Sequence, residues 1–185
     1  MMTAENSTDK SQFDGVVAAS GPGLEEEIKP FLNSNIPIVF VNFAICRVEV
    51  DREVFHIRER GWSKYLSDQM SALDWKRWIN GVLWAPKPWN FDGSHKRMEK
   101  EDWPHFLVDH AFTIFSAIHL LICKDCKNIY GAGANLKPFA DGRYSDMNRD
   151  GNYDFLFDDI RSKYAKFMKP DLERLNVTFT STGLK

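Results

Sequence analysis

The stretch Asp146–Asp154 carries the side chains in this chain that are best suited to metal chemistry. Its sequence is DMNRDGNYD, with oxygen-bearing residues at the first, third, fifth and ninth positions and Gly151 at the sixth. Calcium binds about six to eight oxygens from carboxylates, amides, backbone carbonyls and water. We therefore predict a structural calcium site, and no catalytic metal, with ligands from Asp146, Asn148, Asp150, the backbone carbonyl of Asn152, and Asp154.

This loop resembles the first nine positions of an EF-hand loop, and it is equally similar to the calcium loops of integrin-type propeller blades. An EF-hand places a bidentate glutamate at the twelfth position, where this chain has Phe157. The propeller-type loop needs no twelfth ligand and therefore matches better. The alternative is a metal-free turn in which Asp154 caps the next helix, because Asp, Asn and Gly favour turns without any metal.

The six tryptophans are unevenly distributed, since all of them lie within residues 62–103. The proline-containing segment 84–91 is the best candidate for an exposed aromatic surface, because prolines lower the entropy lost on binding. We predict that Trp84, Trp89 and Phe91 contact a protein partner. Core packing of the indole rings and a sugar-stacking platform are the alternatives.

Three further groups have weaker chemical signatures. His119, Cys123 and Cys126 have helical spacing, but a zinc site needs a fourth ligand, so we interpret the cysteines as core or surface residues. The glycines of Gly131–Asn135 follow no evident strand, which argues against a phosphate-binding loop. No serine elbow, Walker loop or HExxH motif is present, and we predict no catalytic residue.

These residues must be positioned by a fold that we predict to be α+β. The β-branched and aromatic residues of 36–60 predict an antiparallel hairpin, and alternating residues near Val177 predict a C-terminal strand. Apolar spacing predicts a buried central helix over 103–123 and an amphipathic helix over 154–169, stopped by Pro170. The expected architecture is a small antiparallel sheet packed on three or four helices, in one domain over residues 24–185 after a disordered N-terminal tail, residues 1–23.

Composition limits the possible partners. The net charge of −2 provides no general attraction for nucleic acid or anionic lipid, and no apolar run is long enough for a membrane span. The polar N-terminus and the three cysteines favour a cytoplasmic protein with reduced thiols.

Together these features favour a non-enzymatic accessory or inhibitor domain that binds another protein, as an immunity protein does. The alternative is a hydrolase whose site lies between the 131–154 loops and the 103–123 helix, with Asp141, Arg143 or His110 converging there.

Overall fold

The computed structural model describes residues 10–52, 54–57, 82–83, 112–140 and 154–184. These residues form one six-stranded sheet, with β1 Gly15–Ala18, β2 Ile38–Val41, β3 Phe55–Ile57, β4 Val82–Leu83, β5 Asn128–Ala132 and β6 Thr178–Thr180. The spatial order is β4-β3-β2-β1-β5-β6, and all neighbouring strands pair in parallel. The architecture is therefore α/β, and our prediction of an α+β fold with a small antiparallel sheet is wrong.

The region predicted as an antiparallel hairpin, residues 36–60, contains the parallel strands β2 and β3 instead. After β2 the chain turns at Asn42, whose φ of 49° lies in the left-handed region. It then forms the short helix α2, Ala44–Arg47. Parallel neighbours need such a crossover, because the chain must return to the starting end of the sheet before the next strand begins.

Strand β1 lies near the centre of the sheet, although it falls within residues 1–23, the predicted disordered tail. All four of its residues are buried, as are all four residues of β2. A strand buried on both faces has a continuous apolar sequence without alternation, which is typical of parallel sheets. The fold therefore begins well before the predicted boundary at residue 24.

Helices cover both faces of the sheet. One face carries α1, Leu24–Leu32, together with α2, and the opposite face carries α3, Thr113–Ile122, α4, Asp154–Lys163, and α5, Lys169–Arg174. Two crossover connections, β1 to β2 and β5 to β6, lead toward opposite sides of the sheet. They also pass over opposite faces of it. Both crossovers thus have the same handedness, as expected for parallel strands.

The predicted central helix over 103–123 is confirmed for Thr113–Ile122, but the prediction that it runs through Phe112 is wrong. Within α3 every residue from Ile114 to Ile122 is buried, as its nearly all-round apolar surface predicts. Phe112 is extended, with φ −96° and ψ 126°, so that α3 begins at Thr113.

The C-terminal helical segment continues past Pro170, where we predicted that it stops. A π-helical turn, Tyr164–Met168, joins α4 to α5, and the Lys169 N–H donates to the Tyr164 carbonyl five residues back. Proline has no N–H and its ring clashes with the preceding turn of a regular α-helix. The wider π-turn accommodates the ring, so that Pro170 lies in the first turn of α5.

The predicted C-terminal strand is present as β6, but it pairs with β5 and not with the residues of the predicted hairpin. Among the described residues, no helix combines the length and the apolar character needed to cross a membrane.

Candidate functional site at the carboxyl ends of the strands

Among the described strands, a topological switch point lies between the neighbouring strands β1 and β5. From the carboxyl end of β1 the chain passes to α1 on one face, whereas the next described helix after β5 is α4, on the other face. In doubly wound α/β proteins, ligands bind at the carboxyl ends of the strands, where two such connections diverge. This edge is the candidate functional site.

The loop from β1 to α1, which we call the Ser20–Gly23 loop, has the sequence Ser-Gly-Pro-Gly. Gly23 is the N-cap residue of α1, with φ 84°, a left-handed conformation that costs glycine little. Glycine supplies no capping side chain, so the N–H groups of the first turn are not capped by this residue. With the helix dipole, they give this end of α1 a partial positive charge.

Two glycine loops contact each other at the switch point through their backbones. The Gly21 N–H donates to the Gly133 carbonyl at 3.0 Å, and the Ala19 N–H donates to the Ala132 carbonyl at 2.8 Å. A Cβ atom at Gly21 or at Gly133 would come closer than 3.0 Å to a backbone oxygen of the other loop. Only glycine fits at these two positions without moving the backbone.

Side chains join the segment after β5 to the β1–α1 unit. The Asn135 Nδ2 donates to the Pro22 carbonyl at 2.6 Å, and the Gly133 N–H donates to Glu27 Oε2 at 2.7 Å. These hydrogen bonds join the two loops into one unit. Burial raises the pKa of Tyr130, and the nearby Glu27 carboxylate raises this pKa further.

Arg47, the last residue of α2, connects four segments at this edge. Its Nε and Nη2 donate to the two carboxylate oxygens of Glu25 at 2.8 Å each. Its Nη1 donates to the carbonyls of Ser20 at 2.7 Å and Gly21 at 3.2 Å. The guanidinium also lies 4.9 Å from the centroid of the Phe139 ring. With only 11% of its side chain exposed, Arg47 is a buried charge that is paired.

The end of β2 contributes further polar groups. The Ser20 hydroxyl donates to the Val41 carbonyl at 3.4 Å. The Asn42 N–H donates to the Ile57 carbonyl at 2.8 Å, and the Asn42 carbonyl lies 2.9 Å from Nε2 of the fully buried His56. Asn42 is therefore held in its left-handed conformation at the carboxyl end of the strand next to β1.

The charges near α1 are mixed. Its first turn contains three carboxylates, which interact favourably with the helix dipole: Glu25, Glu26 and Glu27. Glu25 is neutralised by Arg47, Glu26 pairs with Lys29 at the exposed surface, and Glu27 accepts the Gly133 N–H. The described residues provide no strong cationic field at this end of α1, so we expect the affinity of a ligand here to depend on directed N–H groups.

The predicted calcium loop and the predicted partner surface cannot be placed on this site. Asp146, Asn148, Asp150 and Asn152 lie outside the described residues, and Asp154 is the first residue of α4. Trp84, Trp89 and Phe91 also lie outside them, as do Asp141, Arg143 and His110 of the hydrolase alternative. In the described ranges, which omit 141–153, no three His, Cys, Asp or Glu side chains cluster as metal ligands.

His119 and Cys126, which have helical spacing in the sequence, are core residues in the structure. His119 is buried in α3, and burial lowers its pKa to about 3. The Cys126 thiol donates to the Asp14 carbonyl at 3.2 Å, and burial raises its pKa to about 12, with nearby acidic groups adding to the shift. A neutral imidazole and a protonated thiol are typical of core residues, as we interpreted the cysteines.

The glycine loops are the feature that our sequence analysis missed. We discounted Gly131–Asn135 because no strand was evident before it, but Gly131 lies within β5 itself. The Ser20–Gly23 loop falls within residues 1–23, the predicted N-terminal tail, and we assigned it no function. The signal that identifies it is the order of elements: a short apolar run at 15–18, a Gly-Pro-Gly turn, then an amphipathic helix.

Comparisons of the chain with protein-family models, with curated proteins and with solved structures found no match.

Proposed function

We propose that this protein binds a small molecule carrying a phosphate group, of the nucleotide class, at the switch point between β1 and β5. The observation that supports this proposal is the meeting of two glycine loops at the N-terminus of α1, at the carboxyl edge of a doubly wound parallel sheet. Ligands of α/β proteins bind at this place, and helix N-termini are suited to phosphate.

The chemistry of the loop supports a phosphate more than a neutral ligand. Phosphate oxygens accept hydrogen bonds from backbone N–H groups, and glycines let the backbone approach them without a side chain between. The loop departs from the dinucleotide pattern G-x-G-x-x-G, since Glu26 stands where the third glycine would be. The proposal is therefore limited to a phosphate-bearing ligand and does not extend to a dinucleotide.

The interpretations made from the sequence remain separate predictions. Binding of a protein through Trp84, Trp89 and Phe91 is compatible with a ligand at the switch point, and so is a calcium loop at 146–154. We assign no catalytic residue to the switch point, and the proposal is one of binding.

Thermal melts with a panel of compounds test the proposal. The panel comprises nucleoside triphosphates, the matching monophosphates, the free nucleosides and inorganic phosphate. A ligand present at about a hundred times its Kd stabilises by about 2.7 kcal/mol. For a chain of this length that corresponds to roughly 5–11 °C in Tm. We expect such a shift for one class of phosphate compound and no shift for its nucleoside.

Two variants at Gly23 provide a matched comparison. Gly23→Asp places a carboxylate at the N-cap, where it competes with a phosphate for the same N–H groups and repels it. Gly23→Asn has the same size and the same backbone strain but no charge. We expect Gly23→Asp to bind about tenfold more weakly than Gly23→Asn. The proposal is wrong if no phosphate compound raises the Tm of the wild type at about 5 mM.

A further inference from the structure

We infer that Arg47 is a positioning residue, which holds the Ser20 and Gly21 carbonyl oxygens away from the ligand, so that the Gly23 N–H and the first turn of α1 face the phosphate. The ligand part of this inference rests on the proposed function. The loop-positioning part depends only on the contacts of Arg47 and can be tested without a ligand.

Hydrogen bonds fix the orientation of the peptide groups in the Ser20–Gly23 loop. In a trans peptide the C=O and the following N–H point in opposite directions. The Ser20 carbonyl accepts a hydrogen bond from Arg47, and the N–H of the same peptide, that of Gly21, donates to the Gly133 carbonyl. This peptide is therefore fixed from both sides.

The next two peptides are held through their oxygens. The peptide between Gly21 and Pro22 has no N–H, so the hydrogen bond from Arg47 to the Gly21 carbonyl is a direct restraint on its orientation. The Pro22 carbonyl is bound by Asn135. The N–H of Gly23 then points away from Asn135. Three of the four carbonyls of the loop are thus bound by protein side chains, and the fourth, that of Gly23, accepts the Glu27 N–H.

Arg47 acts through the loop and does not contact the ligand itself. At least four of the five guanidinium N–H donors are used by protein acceptors, among them the two oxygens of Glu25 and the two loop carbonyls. The side chain is nearly buried. The Glu25 carboxylate holds the guanidinium plane in a two-point contact, which fixes the direction of Nη1 toward the loop.

Lysine cannot replace this arrangement. An ammonium group has no planar fork, so it cannot bind both oxygens of Glu25 and two carbonyls in the same geometry. Arg47→Lys keeps the charge and loses the geometry, whereas Arg47→Gln loses both. The pair therefore separates an effect of charge from an effect of geometry.

The chain contains a matched control in Arg52. Its guanidinium also binds two backbone carbonyls, those of Ser34 and Ile36, but these lie in the connection that leads into β2, at the opposite edge of the sheet. Arg52→Gln removes the same type of contact without touching the Ser20–Gly23 loop.

Hydrogen exchange of the ligand-free protein, measured residue by residue by NMR, tests the positioning. In Arg47→Gln we expect the Gly21 N–H to exchange about tenfold or more faster than in the wild type, with Val16 and Val39 unchanged. In Arg52→Gln we expect no change at Gly21. In Arg47→Lys we expect the exchange rate of the Gly21 N–H to lie between that of the wild type and that of Arg47→Gln. Unchanged exchange of Gly21 in both Arg47 variants would overturn the inference.

Affinity for the phosphate ligand provides the second readout. We expect Arg47→Gln to weaken binding of the nucleoside phosphate about tenfold and Arg52→Gln to leave it unchanged. If the wild type binds no phosphate compound, the proposed function fails while the exchange result still decides the positioning. If the wild type binds but Arg47→Gln binds equally well, the ligand part of this inference is wrong.

Discussion

Replacing Gly133 by alanine is expected to destabilise the protein by about 3–4 kcal/mol, because the two glycine loops meet there without space for a side chain. Gly133 has φ 62°, and an added Cβ would overlap the Ala19 carbonyl and lie 2.9 Å from the Cβ of Leu24. The first obstacle is backbone, which cannot rotate away as a flexible side chain can.

The magnitude follows from two contributions. A left-handed backbone costs a residue with a Cβ about 1–2 kcal/mol. Separation of the loops removes the hydrogen bonds from Gly21 to Gly133 and from Ala19 to Ala132, at about 1 kcal/mol each. Gly23→Ala is the control, since Gly23 is also left-handed but its Cβ would meet only the Glu27 carboxylate, at an ordinary 3.5 Å. We expect it to cost about 1–2 kcal/mol.

Urea and thermal unfolding of both variants measure the difference. For a chain of this length about 1 kcal/mol corresponds to roughly 2–4 °C in Tm. Gly133→Ala should therefore melt about 4–8 °C below Gly23→Ala. Equal Tm values for the two variants would refute the close approach of the loops, because only the left-handed strain would then remain.

Three other predictions concern pH, thiol reactivity and metal. His119 stays neutral in the folded protein because burial lowers its pKa to about 3, whereas in the unfolded chain it takes up a proton below its ordinary pKa of 6.5. The free energy of unfolding should therefore fall by about 1.5 kcal/mol from pH 6.5 to 5 because of His119. Urea titrations of His119→Leu should lack this contribution to the decline. An equal decline in the wild type and in His119→Leu would contradict this prediction. Cys126, with a pKa of about 12, should react with a thiol reagent at pH 8 far more slowly than the half-buried Cys46 and Cys123, and equal rates would be inconsistent with its burial. Calcium added after EDTA should raise the Tm of the wild type but not that of Asp150→Ala; no response of the wild type means that the loop at 146–154 is a metal-free turn.

The elements with long and regular apolar spacing could be predicted from the sequence. The central helix and the C-terminal helix were predicted because their buried residues recur at helical spacing, as Ile160, Tyr164 and Met168 do. The end of the second helix could not be predicted. The π-turn that carries the chain past Pro170 is a local distortion with no periodic signal.

The direction of the strands could not be predicted from their composition. Strands β2 and β3 have the residues of a hairpin, and what makes them parallel is α2, four residues long. A helix of this length shows no period in the sequence, and its residues, including Ile45 and Cys46, are equally compatible with a strand.

The switch point was hidden because its strands are short and contain unusual residues. Strand β5 includes Gly131, although glycine is a poor strand former. Glycine is needed there because a Cβ would come 2.7 Å from the Phe179 ring of the neighbouring strand. The need for glycine therefore arises from a contact made across the sheet. It can be seen in the folded chain and not in a local stretch of sequence.

The strand order also affects the synthesis of the protein. Gly15 in β1 pairs with Ile129 in β5, so the ribosome must add roughly 110 residues after β1 before its second neighbour exists, which takes roughly 6–22 s. Until then, one side of β1 has unpaired N–H and C=O groups and an apolar sequence, which can pair with another nascent chain. Efficient production of this protein should therefore depend on chaperones that bind the nascent chain during this interval.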